Sequence, residues 1–359
     1  MNERIHEEDL LKRLTAGSVL LRPLEIKSLR RKADHIDAWL ELGFPADRES
    51  FPFLVEAKSQ NTPLAVHGAI AQAKRYVANC PQSDRKPQPM IYVPYLSPER
   101  LDDLEREQIS GVDMCGNGLI IVPGRIYILR RGYANTTPQS KPLNNPYAGR
   151  SSLVARMLLS SRHCERVKDL HVGIHLEGAS ISLAQVSKAV SALEDDLILW
   201  RMGIISLREP ALLLDRLGQA FEKIRPKRQQ AVRLVPGTDW VRALNMESRL
   251  KWAVTGESSA ARYATLGQSG PKRIAVSDLN LAISQINCTP EPIPNFADLE
   301  LLETDDPGVY FQNQIDDKGM RWASPLQAWL ELQAGDARQQ EAAKAIRTRI
   351  MSGVKHAKV

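Results

Sequence analysis

The sequence predicts an α+β protein with more than one domain, and three observations lead to this fold class. At 359 residues the chain is longer than one ordinary domain. A hydrophobic content of 43% with 25% charged residues is typical of a folded globular chain. Strand-like and helical patterns alternate in the first third, whereas the middle is mainly helical and the last third is mixed.

Changes of pattern divide the chain into three blocks and a linker. Residues 1–132 mix helices and strands, and residues 133–149 are rich in Asn, Pro, Thr and Ser, as linkers are. Residues 150–224 are mainly helical, and residues 225–359 form a final α+β block. This final block is a candidate for forming a homodimer or for binding a protein partner.

In the first block, apolar spacing predicts helices over 7–14, 64–77 and 98–108, strands over 36–42, 53–57 and 90–93, and a hairpin formed by 118–122 and 125–129. The second block has helices starting near Ser151, Arg166 and Ser182, followed by a hairpin over 197–205. The third block has strands over 273–276, 299–302 and 309–312, and a long helix over 337–350.

Several classes of protein are disfavoured by composition. The four cysteines are far apart and form no CxxC pair, which argues against a zinc site on paired cysteines and against a disulfide framework. The charged N-terminus is no signal peptide, and no apolar stretch approaches the roughly 18 residues that cross a bilayer. We therefore expect a cytoplasmic protein with no membrane partner. The net charge of +6 suits a phosphate-rich partner such as DNA.

The sharpest chemical pattern combines two carboxylates and a lysine in strand-like runs. Asp37 lies in the first run, and Glu56 and Lys58 end the second. Residues i and i+2 of a strand point to the same face, so Glu56 and Lys58 project together. If the strands are neighbours, Asp37 and Glu56 can hold Mg²⁺ through oxygen ligands. The lysine would then orient a water or stabilise charge on a phosphodiester.

The competing interpretation is a solvated Glu–Lys pair on an edge strand. Two features favour a site: the run before Glu56 is apolar, and the next helix carries Gln72 and Tyr76 one turn apart. Asp34 competes with Asp37 for the first position. His35 and His67 are better explained as incidental polar residues.

The pattern resembles the D…ExK…QxxxY arrangement of the PD-(D/E)xK nuclease-like superfamily. The resemblance implies catalytic roles for Asp37, Glu56, Lys58 and Gln72, with Glu7 or Glu8 as the additional acid. Because this fold also serves as a non-cutting DNA-binding domain, the resemblance leaves cleavage and scaffolding open.

Two further segments carry weaker signals. Residues 111–118 contain a Gly-Asn-Gly run that predicts a tight turn, with Asp113 as an additional candidate for the site. Residues 255–261 suit a helix cap better than a phosphate-binding turn, because they contain one glycine and no following lysine.

The helix after Ser182 indicates a winged helix in the second block. Ser182 can cap it, and Leu183, Val186, Val190 and Leu193 take core spacing. Its opposite side carries short polar residues that suit base edges and phosphates in the major groove: Ser182, Gln185, Ser187, Lys188 and Ser191. The following hairpin would be the wing, turning at Met202-Gly203.

Basic side chains around this helix are candidates for phosphate contacts: Arg201 and Arg208 on the wing, and Arg150, Arg162, Arg166 and Lys227-Arg228 elsewhere. The competing interpretation of the block is a plain helical subdomain whose exposed face happens to be polar.

Taken in order, the segments of the whole chain resemble AbiEi-type antitoxins of type IV toxin–antitoxin systems and related DNA-binding regulators. The matching pieces are Asp37 with Glu56 and Lys58, and the segments 111–117, 182–194, 252–261, 324–332 and 337–343. The resemblance implies operator binding on double-stranded DNA and neutralisation of a toxin partner. The alternative is a Mg²⁺-dependent DNA endonuclease that the winged helix targets.

Overall fold

The computed structural model describes residues 7–15, 22–30, 36–80, 85–136, 145–161, 163–222, 226–267, 270–293 and 296–356. The chain divides into two compact units, residues 1–143 (unit 1) and 144–359 (unit 2). Both units combine helices with a sheet, which confirms the predicted α+β multidomain class.

Within the described residues, unit 1 is built on a seven-stranded sheet whose strands lie side by side in chain order. The strands are β1 (Glu25–Arg30), β2 (Ala38–Gly43), β3 (Phe51–Ala57), β4 (Gln88–Val93), β5 (Ser110–Asp113), β6 (Gly118–Val122) and β7 (Ile126–Arg130). The central strands β3, β4 and β5 are parallel, and the neighbours on either side are antiparallel. The parallel strands are connected through helices, so their carboxyl ends meet at one edge of the sheet.

The sheet of unit 1 has helices on both faces: α1 (Glu7–Thr15), α2 (Pro63–Ala78) and α3 (Pro98–Arg106). Val55 and Ala57 belong to the same core as the leucines of α1. Val66 and Ala69 of α2 pack in a second core with Ile91 of β4. Because successive strand residues alternate between faces, Glu56 lies on the face that α2 covers.

Unit 2 begins with a helical segment that carries a small sheet. Its elements are α4 (Ser152–Ser161), β8 (His163–Cys164), α5 (Val167–Leu176), α6 (Leu183–Asp195), β9 (Leu199–Met202), β10 (Ile204–Leu207) and α7 (Pro210–Ala220). Strands β9 and β10 form an antiparallel hairpin, and β8 pairs with β10 on the other side. The predicted turn at Met202-Gly203 is confirmed, with Gly203 at a φ of 85° that favours glycine.

The rest of unit 2 contains a second sheet, seven-stranded within the described residues, with the order β14-β11-β15-β13-β12-β17-β16. Its strands are β11 (Gln229–Leu234), β12 (Trp252–Val254), β13 (Lys272–Val276), β14 (Cys288–Pro290), β15 (Leu299–Glu303), β16 (Gln314–Ile315) and β17 (Arg321–Trp322). The helices are α8 (Trp240–Met246), α9 (Gly256–Ala260), α10 (Leu279–Gln285), α11 (Pro307–Tyr310), α12 (Pro325–Leu332) and α13 (Ala337–His356).

One hydrophobic core joins the two parts of unit 2. Leu153 and Leu158 of α4 belong to the same buried cluster as Trp329 of α12 and Ile346 of α13. The sequence-based division between residues 224 and 225 therefore separates two parts of one compact unit. Among the described residues, no helix combines the length and apolar character that a membrane crossing requires.

The strand predicted over 309–312 is wrong. Residues Pro307–Tyr310 form α11 instead, because Pro307 suits the first turn of a helix and the Asp306 side chain accepts a hydrogen bond from the Gly308 amide. The pattern also gave no indication of β1 and β5 in unit 1 or of β11 and β12 in unit 2.

Candidate functional site

Strand pairing brings the predicted carboxylates together in unit 1. Strands β2 and β3 are antiparallel with Ala38 opposite Val55, so Asp37, one residue before β2, faces Glu56 near the end of β3. Residues directly opposite in such a pair have Cβ atoms about 5 Å apart. Lys58 follows β3, and its amide donates to the Tyr92 carbonyl of β4 at 3.0 Å. The three predicted residues thus occupy one edge of the sheet.

Direct contacts connect these side chains. The Lys58 ammonium lies 2.5 Å from Glu56 Oε1, with 1% of the Glu56 side chain and 29% of the Lys58 side chain exposed. Asp37 Oδ2 accepts a hydrogen bond of 2.7 Å from the Ala57 amide. This bond fixes the Asp37 carboxylate against β3 and next to the Glu–Lys pair. We call Asp37, Glu56 and Lys58 the carboxylate–lysine cluster.

Helix α2 adds two polar residues to the cluster. The Gln72 amide donates to the Tyr76 hydroxyl one turn further along. The Tyr76 hydroxyl in turn favours the ionised form of Glu56. Burial raises the pKa of Tyr76, and the negative charges of Glu56 and Asp37 raise it further. Thr62 and Pro63 begin α2 and set its position after β3, because the Thr62 hydroxyl accepts from the Ala65 amide.

The electrostatics of Glu56 are set mainly by its burial. Burial raises the pKa of Glu56, and the nearby Asp37 carboxylate raises it further. Lys58 and Tyr76 oppose this shift by stabilising the ionised form. The pKa of Glu56 is therefore raised overall. This carboxylate takes up a proton more readily than an exposed glutamate does.

The cluster fits a magnesium ion. Both Glu56 oxygens are buried, and apart from the Lys58 ion pair neither receives a hydrogen bond of normal geometry from the described residues. Buried carboxylate oxygens with free lone pairs are the donors that Mg²⁺ prefers, and this ion usually keeps several waters beside one or two carboxylates. The described residues contain no group of three or more Asp, Glu, His or Cys side chains placed to hold a metal. In the described part of unit 1, Asp37 and Glu56 would be the two protein ligands of such an ion, with water in its other positions.

Other candidates for this site have separate outcomes. Asp34 and His35, and the side chains of Glu7 and Glu8, lie outside the described residues. His67 is exposed on α2, three residues from the buried Ile70.

Asp113 has a structural role at the end of β5. Its Oδ1 accepts hydrogen bonds from the backbone amides of Cys115, Gly116 and Asn117 at 2.8, 2.7 and 2.8 Å. Its Oδ2 accepts from the Leu96 amide at 2.9 Å and from the Asn117 side chain at 2.8 Å. This confirms the predicted tight turn, in which Gly116 has a φ of 106°. The turn uses both carboxylate oxygens.

The predicted cap in residues 255–261 takes a different form. Helix α9 begins at Gly256, and the Thr255 side chain makes no capping bond. Instead the Glu331 carboxylate of α12 accepts from the Gly256 amide at 2.6 Å and from the Thr255 hydroxyl. A carboxylate from the chain itself therefore occupies this helix start, where a phosphate-binding turn would place its ligand.

In unit 2, the start of α6 uses two of the predicted DNA-contact residues for capping. The Ser182 hydroxyl accepts from the Gln185 amide at 3.2 Å, and the Gln185 side chain accepts from the Ser182 amide at 3.1 Å. This reciprocal pair is a capping box. The side-chain oxygen of Gln185 is thus directed back to the helix start in the free protein.

The exposed side of α6 is smaller than the sequence indicated. Ser187 and Lys188 are exposed, and Ser191 is half-buried. Leu183 was predicted to be a core residue, which is wrong because 46% of it is exposed. Ala189 is buried instead, with Val186, Val190 and Leu193 as predicted. Leu183 is the first residue of the helix, where the chain approaches from the capped turn and leaves the side chain in solvent.

Ion pairing within the segment neutralises the arginines of the hairpin. Arg201 Nε donates to Glu194 Oε2 at 2.7 Å, and a second guanidinium nitrogen also contacts this carboxylate. Arg208 lies over the Trp200 ring at 4.5 Å from its centroid and within 3.5 Å of the Glu209 carboxylate. Acidic residues end the predicted helix, and Glu194 among them is a partner of Arg201 that the sequence pattern did not indicate.

The hairpin also presents apolar side chains to solvent. Met202 at its tip is 82% exposed, and Trp200 and Ile204 are each nearly half exposed. Arg162 lies outside the described residues, and the cations of Lys227 and Arg228 contact Asp305 and Glu303.

The chain matches no protein-family model, no curated protein and no solved structure.

Proposed function

We propose that the chain is a DNA-binding transcriptional regulator that contacts double-stranded DNA through a winged helix formed by residues 150–224. The observation that carries the proposal is the order of elements, in which α4, α5 and α6 are followed by a β9–β10 hairpin. The strand β8, between α4 and α5, joins this hairpin as a third strand. A winged helix has this order, and it presents its third helix to the major groove and its hairpin to the neighbouring backbone.

Helix α6 would make the groove contacts. Ser187 and Lys188 lie on its exposed side, and Ala184 one turn earlier is also exposed. Short side chains let the helix backbone approach the base edges, while the lysine reaches a phosphate. Gln185 can contact a base only by leaving the capping box, so its role in the free protein is to stabilise the helix start.

The test is DNA binding measured by fluorescence anisotropy at fixed salt, first with genomic fragments to select a target and then with that target. We expect Lys188→Ala to weaken binding about three- to tenfold, since one lost phosphate contact removes about one released counterion. Lys344→Ala is the matched control, because Lys344 is also an exposed lysine on a helix and lies on α13, away from α6 in the sequence. Equal affinities of wild type and Lys188→Ala would contradict the assignment of α6.

A second function is favoured by the carboxylate–lysine cluster. We propose as the alternative that unit 1 is a Mg²⁺-dependent DNA endonuclease of the PD-(D/E)xK type. Asp37 and Glu56 face each other across β2 and β3, and Lys58 contacts Glu56. Gln72 and Tyr76 complete the pattern on α2. These five residues come from three separate segments, the start of β2, the end of β3 and α2, and a solvated Glu–Lys pair does not require the other three.

In this alternative each residue has a defined task. Asp37 and Glu56 would hold the ion, which when bound polarises a phosphate oxygen or a water. Lys58, whose side chain is 29% exposed, would stabilise the negative charge that develops on the phosphodiester. Gln72 would hold the Tyr76 hydroxyl, which favours the ionised form of Glu56.

A cleavage assay separates the two functions. Supercoiled and linear DNA are incubated with Mg²⁺ or Mn²⁺ and with wild type, Lys58→Ala, Glu56→Gln or Lys74→Ala. Lys74 is a control because it pairs with Glu107 on the surface and not with the cluster. Cleavage that is lost in the first two variants and kept in the third establishes a nuclease. No cleavage by any of the proteins, together with retained DNA binding, supports the regulator.

A further inference from the structure

Unit 2 contains a cavity of about 640 Å³ between the end of α4, the segment 312–314, the start of α12 and the end of α13. Its volume lies within the range of about 300–1,000 Å³ that is typical of small-molecule sites. Its apolar lining includes Leu159, Leu326, Ile350 and Val354. Such a lining suits the apolar body of an organic ligand.

A buried arginine lines this cavity and lacks a direct counter-ion. Arg156 of α4 is 4% exposed. Its Nη1 donates to Gln327 Oε1 at 2.9 Å and to the Gly308 carbonyl at 3.3 Å, but its Nε has no acceptor among the described residues. Within the same residues, no carboxylate forms an ion pair with it. A buried, unpaired cation is costly, so its presence calls for an explanation.

The nearest acidic residues are used elsewhere. Asp306 accepts a hydrogen bond from the Gly308 amide at 2.9 Å, where it caps α11. The Glu331 carboxylate binds the Thr255 hydroxyl, the Gly256 amide and the Gln327 side chain. Both carboxylates therefore stabilise the positive charge of Arg156 only from beyond contact distance. An anion from outside the chain would complete the coordination of the guanidinium.

A second polar atom in the lining is also without a partner. Asn313 Oδ1 is buried and has no hydrogen-bond donor among the described residues. The Arg349 side chain at the same cavity is exposed and adds a second positive charge, against one acidic lining residue, Glu177. The residues that line the cavity thus include two cations, an asparagine with an unpartnered acceptor and an apolar wall.

We propose that this cavity binds a small organic anion that has an apolar body and a hydrogen-bond donor. The anionic group, a carboxylate, sulfonate or phosphate ester, is recognised by Arg156 and Arg349. The donor pairs with Asn313 Oδ1, and the body packs against the aliphatic side chains. The bound molecule connects α4 to α13, which are distant in sequence. The proposal is independent of the DNA-binding and nuclease functions.

The probe for the test is 1-anilinonaphthalene-8-sulfonate, an apolar anion whose fluorescence rises in a dry site. Titration of the full chain is expected to show one saturable site. Arg156→Gln and Gly353→Trp should each weaken binding at least about tenfold, by removing a charge-assisted hydrogen bond and by filling the cavity. A Cβ added at Gly353 meets no atom within 4 Å, so this position has room for a side chain and the second variant is expected to fold even where the first does not.

Matched controls separate this site from other apolar surfaces. Gly68→Trp places the same side chain at an equally open helical glycine in unit 1, and Lys344→Gln removes an exposed cation from α13. Both should leave the affinity unchanged. Met202→Ser tests the exposed hairpin tip. Octanoate should displace the probe at least about tenfold more effectively than octanol, because only the former carries the anionic group.

Three results would overturn the proposal. The first is the absence of saturable probe binding to wild type. The second is unchanged affinity in Gly353→Trp, or loss of the signal in Met202→Ser instead. The third is equal displacement by octanol and octanoate, which would make the cavity an apolar site without anion recognition.

Discussion

The ion pair between Lys58 and Glu56 makes a stability prediction that does not require a known substrate. In Lys58→Met, the aliphatic part of the side chain is kept and the charge is removed. Glu56 then remains in a site where 1% of its side chain is exposed, facing the Asp37 carboxylate without the ammonium at 2.5 Å. The variant isolates the electrostatic contribution of the lysine.

The expected magnitude follows from burial. Removing one partner of a fully buried pair costs about 3–5 kcal/mol in the free energy of unfolding. Lys58 is 29% exposed, and Glu56 can take up a proton, so both factors reduce the cost. We expect a loss of about 1–3 kcal/mol at pH 8.

The pH dependence has a defined sign. Burial raises the pKa of folded Glu56 above its ordinary value of 4.5. The stability associated with this group is therefore fully present below that ordinary value and is lost as pH rises through the folded pKa. Without Lys58 the folded pKa rises further, so the loss becomes larger and extends to higher pH. The cost of Lys58→Met should thus be smaller at pH 5 than at pH 8.

Hydrogen exchange measured by mass spectrometry on a peptide covering β3 reports the stability of this region in the full chain. The double variant Glu56→Gln/Lys58→Met should recover most of the loss, with a coupling of about 1–3 kcal/mol. Lys74→Met, which breaks an exposed pair with Glu107, should cost about 0.5 kcal/mol or less. Equal losses in Lys58→Met and Lys74→Met, or a cost that does not depend on pH, would refute the reasoning.

Three further variants test other contacts. Glu194→Gln frees the Arg201 guanidinium and should tighten DNA binding about two- to fivefold in anisotropy titrations, whereas weaker binding would show that the ion pair positions the arginine. Asp113→Ala removes the acceptor for three backbone amides of one turn, and we expect it to cost about 2–4 kcal/mol in urea unfolding; a cost below about 1 kcal/mol would contradict this role. Gln185→Ala breaks one half of the capping box and should reduce stability by about 0.5–1 kcal/mol while changing DNA affinity less than Lys188→Ala does.

Local patterns were sufficient for many of the elements. The helix predicted over 64–77 is α2 (Pro63–Ala78), and the predicted hairpin is β6 and β7, because apolar period and turn residues act over a few neighbours. Strands β1 and β12 were missed because neither has the apolar period on which such predictions depend. β1 has an exposed, charged pattern, and β12 has three residues, so neither carries a periodic signal. Their strand conformation comes from pairing with β2 and β13.

The carboxylate–lysine cluster was predictable because its spacing is a strand property. Glu56 and Lys58 share a face by alternation, and the apolar run before them marks a central strand. That Asp37 would face Glu56 depended on β2 and β3 being neighbours in a definite register. Register is set by pairing across the sheet, and single-strand patterns do not contain it.

The contacts of the polar side chains at α6 could not be predicted from the sequence pattern. Helical periodicity places Gln185 on the polar side of α6, and the hairpin carries Arg201 beside it, but each has a closer partner, Ser182 or Glu194, within the segment. Periodicity gives the direction of a side chain and not the group that it contacts. Contacts of this kind form at element ends, where caps and acidic residues compete with an outside ligand.

These partners also determine how DNA binding should respond to salt. Five of the predicted phosphate contacts are paired with carboxylates in the free protein: Arg166, Arg201, Arg208, Lys227 and Arg228. Each must exchange an internal partner for a phosphate, so it adds less than one full counterion to the release that drives binding. Because Lys188 and few other cations are unpaired among the described residues of the segment, we expect a slope of log K against log salt of about −2 to −4. A slope near −8 in anisotropy titrations from 50 to 200 mM salt would mean that DNA contacts a much larger basic surface than α6 and its hairpin provide.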